Sequence, residues 1–88
     1  MKVVLSGTLQ RYAGYQREHT VEGETLGQVL DGLANAHPSL RPVLFDETGA
    51  VRSTHALFIN GEQVAPVEPE RPVANWDELE VITALAGG

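Results

Sequence analysis

Hydrophobic and polar positions along the chain change spacing several times, and the changes predict one helix among several strands. The segment from Lys2 to Leu9 is rich in Val and Leu and predicts a first strand. The polar segment from Gln16 to Val21 predicts a short edge strand that pairs back as a hairpin. Apolar residues then recur at helical spacing and mark one buried helix face, formed by Leu26, Val29, Leu30 and Leu33.

The helix has clear start and stop signals. Thr25 to Gln28 fits a capping box, in which a hydroxyl and an amide satisfy free N–H groups of the first turn. Pro38 ends the helix, because a residue before proline avoids helical dihedral angles. Gly27 and Gly32 each cost about 1 kcal/mol relative to alanine, so we expect the helix to depend on packing.

The second half of the chain reads as strands joined by turns. A connector from Pro38 to Gly49 carries apolar residues that we expect to cap the core, in part through a short helical turn. Val51 to Ile59 predicts a third strand, and Asn60-Gly61 is a strong two-residue hairpin signal. We expect a return strand from Gln63 to Val67 and a final strand from Leu79 to Thr83.

The predicted order is therefore strand, strand, helix, strand, strand, strand. This order is typical of the β-grasp, an α+β fold in which a mixed sheet curls over one main helix and the first and last strands lie side by side. We expect residues 1–83 to form this domain and residues 84–88 to form a flexible C-terminal tail.

Composition excludes several classes of function. A chain of 88 residues with 42% hydrophobic residues suits one small folded domain. The net charge is −6 and the six basic residues are scattered, so we expect no nucleic-acid binding. No apolar run approaches the length of a membrane span, and no signal peptide pattern is present, so we expect a cytoplasmic protein that does not bind membranes.

The most informative segment is Ala86-Gly87-Gly88. Two glycines allow the backbone to enter a narrow channel, because no Cβ blocks the approach. We expect the reactive group delivered there to be the Gly88 carboxylate. The sequence has no cysteine, so sulfur cannot be carried on a side-chain thiol. Its single lysine, Lys2, and the α-amino group are the only amines through which copies of the chain could be linked.

These segments resemble the ubiquitin-like sulfur carriers of the MoaD/ThiS type. The resemblance covers nearly the whole chain and is carried by Gly23 to Leu26, Phe58 to Glu62 and Asp77 to Ile82, together with the diglycine end. Leu9 to Gly14 and the Ala-Gly-Gly ending look most like the carrier of the cysteine-biosynthesis type. One departure is Thr83-Ala84, where many relatives carry a proline before the tail.

The resemblance implies a carrier that is a substrate rather than an enzyme. A ubiquitin-activating-like enzyme would use ATP and Mg²⁺ to adenylate Gly88, and sulfur would replace the adenylate to give a thiocarboxylate. A biosynthetic enzyme would then take the sulfur. The sequence lacks the glycine-rich phosphate-binding motif, so we expect the chain itself to bind no cofactor. We also expect it to bind no metal and to be a monomer when free.

Partner recognition is expected to involve the tail and the open face of the sheet. Gly87, Ala86 and Leu85 would lie in the partner's channel, although Leu85 could instead fold back on the domain. Strand alternation points Leu57, Ile59, Leu79 and Val81 inward, and predicts an outward apolar patch formed by Val4, Phe58 and Ile82. We expect Trp76 to pack at the sheet edge.

Other readings remain open or are less favoured. His19, His37 and His55 have no metal-ligand spacing, and surface or turn positions are expected for them. The segment Glu68-Pro69-Glu70 is expected to be a solvated loop. Two alternatives to the carrier are a protein modifier joined through Gly88 to a lysine of another protein, and a non-catalytic regulatory subunit that inserts its tail into a partner enzyme. The final sulfur acceptor is open among the cysteine, molybdopterin and thiamine pathways and a thio-metabolite.

Overall fold

The computed structural model describes residues 1–83. Its five-stranded sheet has the order β2-β1-β5-β3-β4, with β1 and β5 parallel at the centre and the other pairs antiparallel. The strands and helices are β1 Lys2–Leu5, α1 Gly7–Gln10, β2 Glu18–Thr20, α2 Leu26–Ala36, a 3₁₀ turn Pro38–Leu40, α3 Arg41–Leu44, β3 His55–Ile59, β4 Glu62–Gln63 and β5 Glu78–Thr83. The β-grasp prediction is confirmed, including the neighbouring first and last strands.

The core lies between α2 and one face of the sheet. Val3 pairs with Leu79 and Leu57 pairs with Val81, so inward positions of the three central strands share one layer. The predicted helix face is buried against this layer, as are two apolar residues of the connector; the set is Leu26, Val29, Leu30, Leu33, Leu40 and Leu44. Alternation along the strands therefore separates a dry face from an open face.

Helix α2 begins at the predicted residue, with one difference in its cap. Thr25 Oγ1 accepts a hydrogen bond from the Gln28 N–H at 3.2 Å. The Gln28 side-chain oxygen accepts from the Glu24 N–H at 2.8 Å rather than from the cap residue itself. The loop after β4 crosses this end of the helix, and the Gly27 N–H donates to the Pro69 carbonyl at 2.9 Å.

Four predicted strands are shorter in the structure, and the second of them spans only Glu18–Thr20. The first ends at Leu5, because the N–H groups of Leu9 and Gln10 both turn back to the Ser6 carbonyl and form α1. The third begins only at His55, since residues 53–54 form a turn and Val51 makes an isolated bridge to Phe45. Strand β4 has only two residues.

Two side chains differ from their predicted positions. Trp76, expected at the sheet edge, is 86% exposed, because it sits on a tight turn that precedes β5. His55, expected at the surface, is buried at the start of β3. The predicted hairpin turn is confirmed, with positive φ at both Asn60 and Gly61. Among the helices of residues 1–83, none is long and apolar enough to span a bilayer.

Candidate functional site at the end of strand β5

Strand β5 leads directly to the C-terminal segment, and its last residue, Thr83, is the root of that segment. Because β5 lies between β1 and β3, the chain leaves from the middle of the sheet and not from its edge. The predicted tail residues Leu85, Ala86, Gly87 and Gly88 lie outside the described residues. The described part of the site is therefore the platform from which they start.

The Thr83 backbone is fixed by Ser6. The Thr83 N–H donates to Ser6 Oγ at 3.1 Å, and the Ser6 N–H donates to the Val81 carbonyl at 3.0 Å. These bonds extend the β1–β5 pairing past the end of β1. A proline at position 83 could not make the bond to Ser6 Oγ, since proline has no N–H to donate.

The Thr83 side chain is fixed by His55. The His55 ring lies between two oxygens, with Nε2 at 2.7 Å from the Val43 carbonyl and Nδ1 at 3.2 Å from Thr83 Oγ1. A carbonyl can only accept, so Nε2 carries the proton, and in the neutral ring Nδ1 accepts from the threonine hydroxyl. The pair thereby links the root of the tail to helix α3. No pattern in the sequence indicated this role for Ser6, His55 or Thr83.

The open face of the sheet carries a carboxylate where an apolar patch was predicted. Glu80 pairs with Val4 on β1 and with Phe58 on β3, so it lies between them in the same row. Ile82 is 38% exposed and pairs with Ala56. Phe58 and Ile82 face outward as predicted, but Phe58 and Val4 do not adjoin each other.

Val4 corrects one further prediction, because it is only 6% exposed. It points away from the core, yet Glu18 and Glu80 flank it on the neighbouring strands. With Ser6, Arg17 and Ile82 it lines a shallow cavity of about 240 Å³ beside the root of the tail. Val4 therefore lines this cavity but offers a partner protein little exposed surface of its own.

A larger cavity of about 1040 Å³ lies on the helix side, between α2, the connector and the segment after β4. Its charged lining groups hold the connector in place. Arg41 contacts Asp31 at 2.9 Å, and Arg52 Nε donates to the Pro42 carbonyl at 3.0 Å. We therefore assign this cavity no part in the chemistry of the tail.

Histidine and carboxylate groups do not form a metal site in the described residues. The fold brings the His19 and His37 rings to 5.0 Å in an edge-to-face contact. Within residues 1–83, however, no group of three or more His, Cys, Asp or Glu side chains has the geometry to hold a metal ion.

Both amines of the chain are engaged at the start of β1. Lys2 Nζ lies 3.3 Å from Glu18 Oε1 and 3.4 Å from Glu78 Oε1. Hydrogen bonds to Glu18 and then to Glu78 raise the pKa of Lys2, which lowers its neutral, nucleophilic fraction. The Met1 α-amino group donates to the Val21 carbonyl at 2.9 Å, and the Met1 residue is buried.

Comparison with known proteins agrees with this architecture. The ThiS family model matches residues 3–88. Small archaeal modifier protein 1 of Haloferax volcanii is 35% identical over 69 residues, which are 77% of this chain and 76% of that protein.

Solved structures match the fold over the whole chain. The crystal structure of SAMP1 from Haloferax volcanii has a TM-score of 0.82 and 32% identity, and the match covers 100% of this chain and 98% of that one. A chain of the BexX/CysO complex from Amycolatopsis orientalis has a TM-score of 0.86 at 23% identity, covering 99% and 98%. The second likeness concerns the fold alone.

Proposed function

The chain belongs to the ThiS family of ubiquitin-like sulfur carriers, and from this premise we propose that it donates sulfur as a thiocarboxylate formed at Gly88. The observation that carries the proposal is the Ala86-Gly87-Gly88 segment, which lies inside the family match and is separated from Thr83 by two residues. The cysteine-free sequence supports it, since no thiol of the chain competes for the sulfur.

The proposed chemistry divides between the carrier and an activating enzyme. The Gly88 carboxylate is anionic near neutral pH and a poor electrophile, so it needs activation. Its oxygen attacks the α-phosphorus of ATP, pyrophosphate leaves, and an acyl adenylate forms. A sulfur nucleophile then displaces AMP and leaves sulfur in place of one oxygen. The carrier's own residues supply positioning: Ser6 and His55 hold Thr83, and the glycines enter the channel.

Intact mass spectrometry tests the proposal. The full chain is incubated with a ubiquitin-activating-like enzyme of the same host, MgATP and sulfide, and the expected mass gain is that of sulfur replacing one oxygen. Omitting ATP, or deleting Gly88, should abolish the gain. Gly87→Val should also abolish it while leaving the fold intact, because a branched Cβ crowds a narrow channel. An unchanged mass with every such enzyme of the host would contradict the proposal.

A second candidate function is protein modification through Gly88. It is favoured by the 35% identity to a protein named as a small archaeal modifier. Both functions begin with adenylation, so the discriminating measurement is made on protein from the native host. Peptides in which Gly88 is joined to a lysine of another protein would establish the modifier, whereas a thiocarboxylate without such peptides would favour the carrier.

A further inference from the structure

Trp76 is the single tryptophan of the chain and is 86% exposed. Tryptophan is highly buried on average in folded proteins, because its large apolar surface is costly to leave in water. Neither the core nor the proposed chemistry at Gly88 explains its position. An exposed tryptophan of this kind is a candidate anchor for a partner protein.

The turn that carries Trp76 is fixed by a closed set of hydrogen bonds. Asp77 Oδ2 accepts from the Ala74 N–H at 2.8 Å, and the Asp77 N–H donates back to the Ala74 carbonyl at 3.0 Å. Asn60 Nδ2 donates to Asp77 Oδ1 at 2.9 Å, while Asn60 Oδ1 accepts from the Glu78 N–H at 3.0 Å. The turn is thereby tied to the β3–β4 hairpin. Because the backbone that presents the indole is ordered before binding, less entropy is lost when a partner binds.

The surroundings of Trp76 are acidic. The pairings of β1, β3 and β5 bring several carboxylates and fewer cations to this end of the sheet. The carboxylates are Glu24, Glu62, Asp77 and Glu78, and the cations are Lys2, Arg71 and the α-ammonium group of Met1. Lys2 is already paired with Glu78 at 3.4 Å. We call this end, defined by Asn60, Glu62 and residues 76–78, the Trp76 corner.

The Trp76 corner lies far from the root of the tail. It is at the start of β5, and Thr83 is at the end of the same strand. At roughly 3.3 Å per residue, the length of β5 separates the two by about 17 Å. A partner of standard interface size, about 800 Å² on each side, is wide enough to contact both.

We propose that the Trp76 corner docks a basic, arginine-bearing surface of the enzyme that activates Gly88, so that this enzyme holds the carrier at both ends of β5. The inference rests on the proposed function, since it takes that enzyme as the partner. A guanidinium of the partner stacks on the indole face, and its charge is matched by the carboxylates of the corner.

Kinetics of activation provide the first test. Trp76→Ala should raise KM for the carrier by about tenfold or more with little change in kcat, because the contact is remote from Gly88. Trp76→Phe keeps an aromatic face and should recover part of the loss. Added salt should raise the wild-type KM more steeply than that of Glu62→Gln. If Trp76→Ala is activated with the wild-type KM, the inference is wrong even though the carrier chemistry stands.

Fluorine NMR provides a binding test that does not depend on turnover. Carrier labelled with 5-fluorotryptophan has one resonance, which should shift or broaden when unlabelled activating enzyme is added without ATP. Asn60→Gly keeps a residue suited to the positive φ at this position but removes both side-chain bonds, so it should weaken binding while retaining the indole.

Two other occupants are distinguished in the same experiments. A resonance that moves with carrier concentration alone would identify a second copy of the chain as the occupant and overturn the inference. A KM that responds to Glu62→Gln but not to Trp76→Ala would show general electrostatic attraction without an anchor, and would also overturn it. Failure of wild-type carrier to gain sulfur would count against the proposed function instead, whatever the resonance does.

Discussion

At the scale of single residues, the root of the tail depends on one buried histidine. His55 is only 9% exposed and satisfies both ring nitrogens, one on the Val43 carbonyl and one on the Thr83 hydroxyl. Burying a ring nitrogen without a partner costs free energy, so the two contacts are coupled to the stability of the domain. The same contacts determine where the chain leaves the sheet.

Thr83→Val tests this arrangement, because valine keeps the branched shape and loses the hydroxyl. We expect the free energy of unfolding to fall by about 1–2 kcal/mol, the cost of leaving His55 Nδ1 unsatisfied. Thr83→Ser is the matched control and should retain most of the stability. Chemical denaturation measures both. A Thr83→Val domain as stable as wild type would show that the bond contributes nothing.

A second residue-scale prediction concerns acid. The backbone hydrogen bond from Ala74 and then the amide of Asn60 lower the pKa of Asp77 below the ordinary value of an aspartate. A carboxyl group whose pKa is lower in the folded state stabilises the fold above its unfolded pKa, and this contribution is lost as pH falls through the folded pKa. We therefore expect Asp77→Asn to lose less Tm than wild type when the pH is lowered through that range. If the Tm of wild type and that of Asp77→Asn fell equally with pH, Asp77 would not be the group that makes this contribution.

At the scale of elements, the sequence predicted helix α2 and the hairpin turn but not where most of the strands begin and end. Helix α2 and the Asn60-Gly61 turn were predictable, because an apolar stripe and a turn residue are local signals. The ends of β1 to β4 were not. Strand β1 ends where the Ser6 carbonyl accepts the bonds that begin α1, and Val51, the predicted start of β3, pairs with Phe45 instead. Among the described site residues, Phe58 and Ile82 were oriented correctly by alternation. Glu80 was missed, since its place between two strands requires the register.

Gly27 in α2 is required by close packing against Pro69, which helix propensity alone does not show. A Cβ there would lie 3.0 Å from Pro69 Cβ and 3.1 Å from the Pro69 carbonyl oxygen. Pro69 is held by its bond to the Gly27 N–H, so overpacking should cost about 1–3 kcal/mol and outweigh the helix gain of alanine. In Gly32→Ala, the new Cβ meets a Val21 methyl at 3.0 Å, a side-chain atom that can move. Thermal unfolding should therefore show a loss for Gly27→Ala and a smaller or opposite effect for Gly32→Ala.

The open face of β3 is tested by Phe58→Asp. We expect the fold to survive, because Phe58 points away from α2, and binding to the activating or sulfur-accepting enzyme to weaken by about 2 kcal/mol or more if the aromatic ring lies at an interface centre. Gln63→Asp, at the directly paired position on β4, adds the same charge without removing a ring. Unfolding of Phe58→Asp would mean that this half-buried ring stabilises the domain, and unchanged binding would mean that it takes no part in docking.

At the scale of the whole molecule, charge and amines are arranged in a way that no single element reveals. Carboxylates occupy the open face at Glu18, Glu78 and Glu80, and two of them hold Lys2. The other amine, at Met1, donates into the β1–β2 edge. The sequence showed that there is one lysine, but only the fold shows that both amines are engaged. The engaged amines, like the presence of only one lysine, therefore disfavour covalent linkage of one copy of the chain to another.

Activation reactions that contain only the carrier, the enzyme and MgATP test this last point. We expect no covalent dimers or ladders on denaturing gels, because hydrogen bonds to the carboxylates raise the pKa of Lys2 and so lower its neutral fraction further, and the Met1 amine is engaged by the Val21 carbonyl. Lys2→Arg should look the same as wild type, since arginine keeps the charge and removes the only side-chain amine. Glu18→Gln with Glu78→Gln releases Lys2 without deleting it, and should produce linked copies first if any form. A wild-type ladder that disappears in Lys2→Arg would show that the ion pairs do not protect this amine, and would favour the modifier function over the carrier.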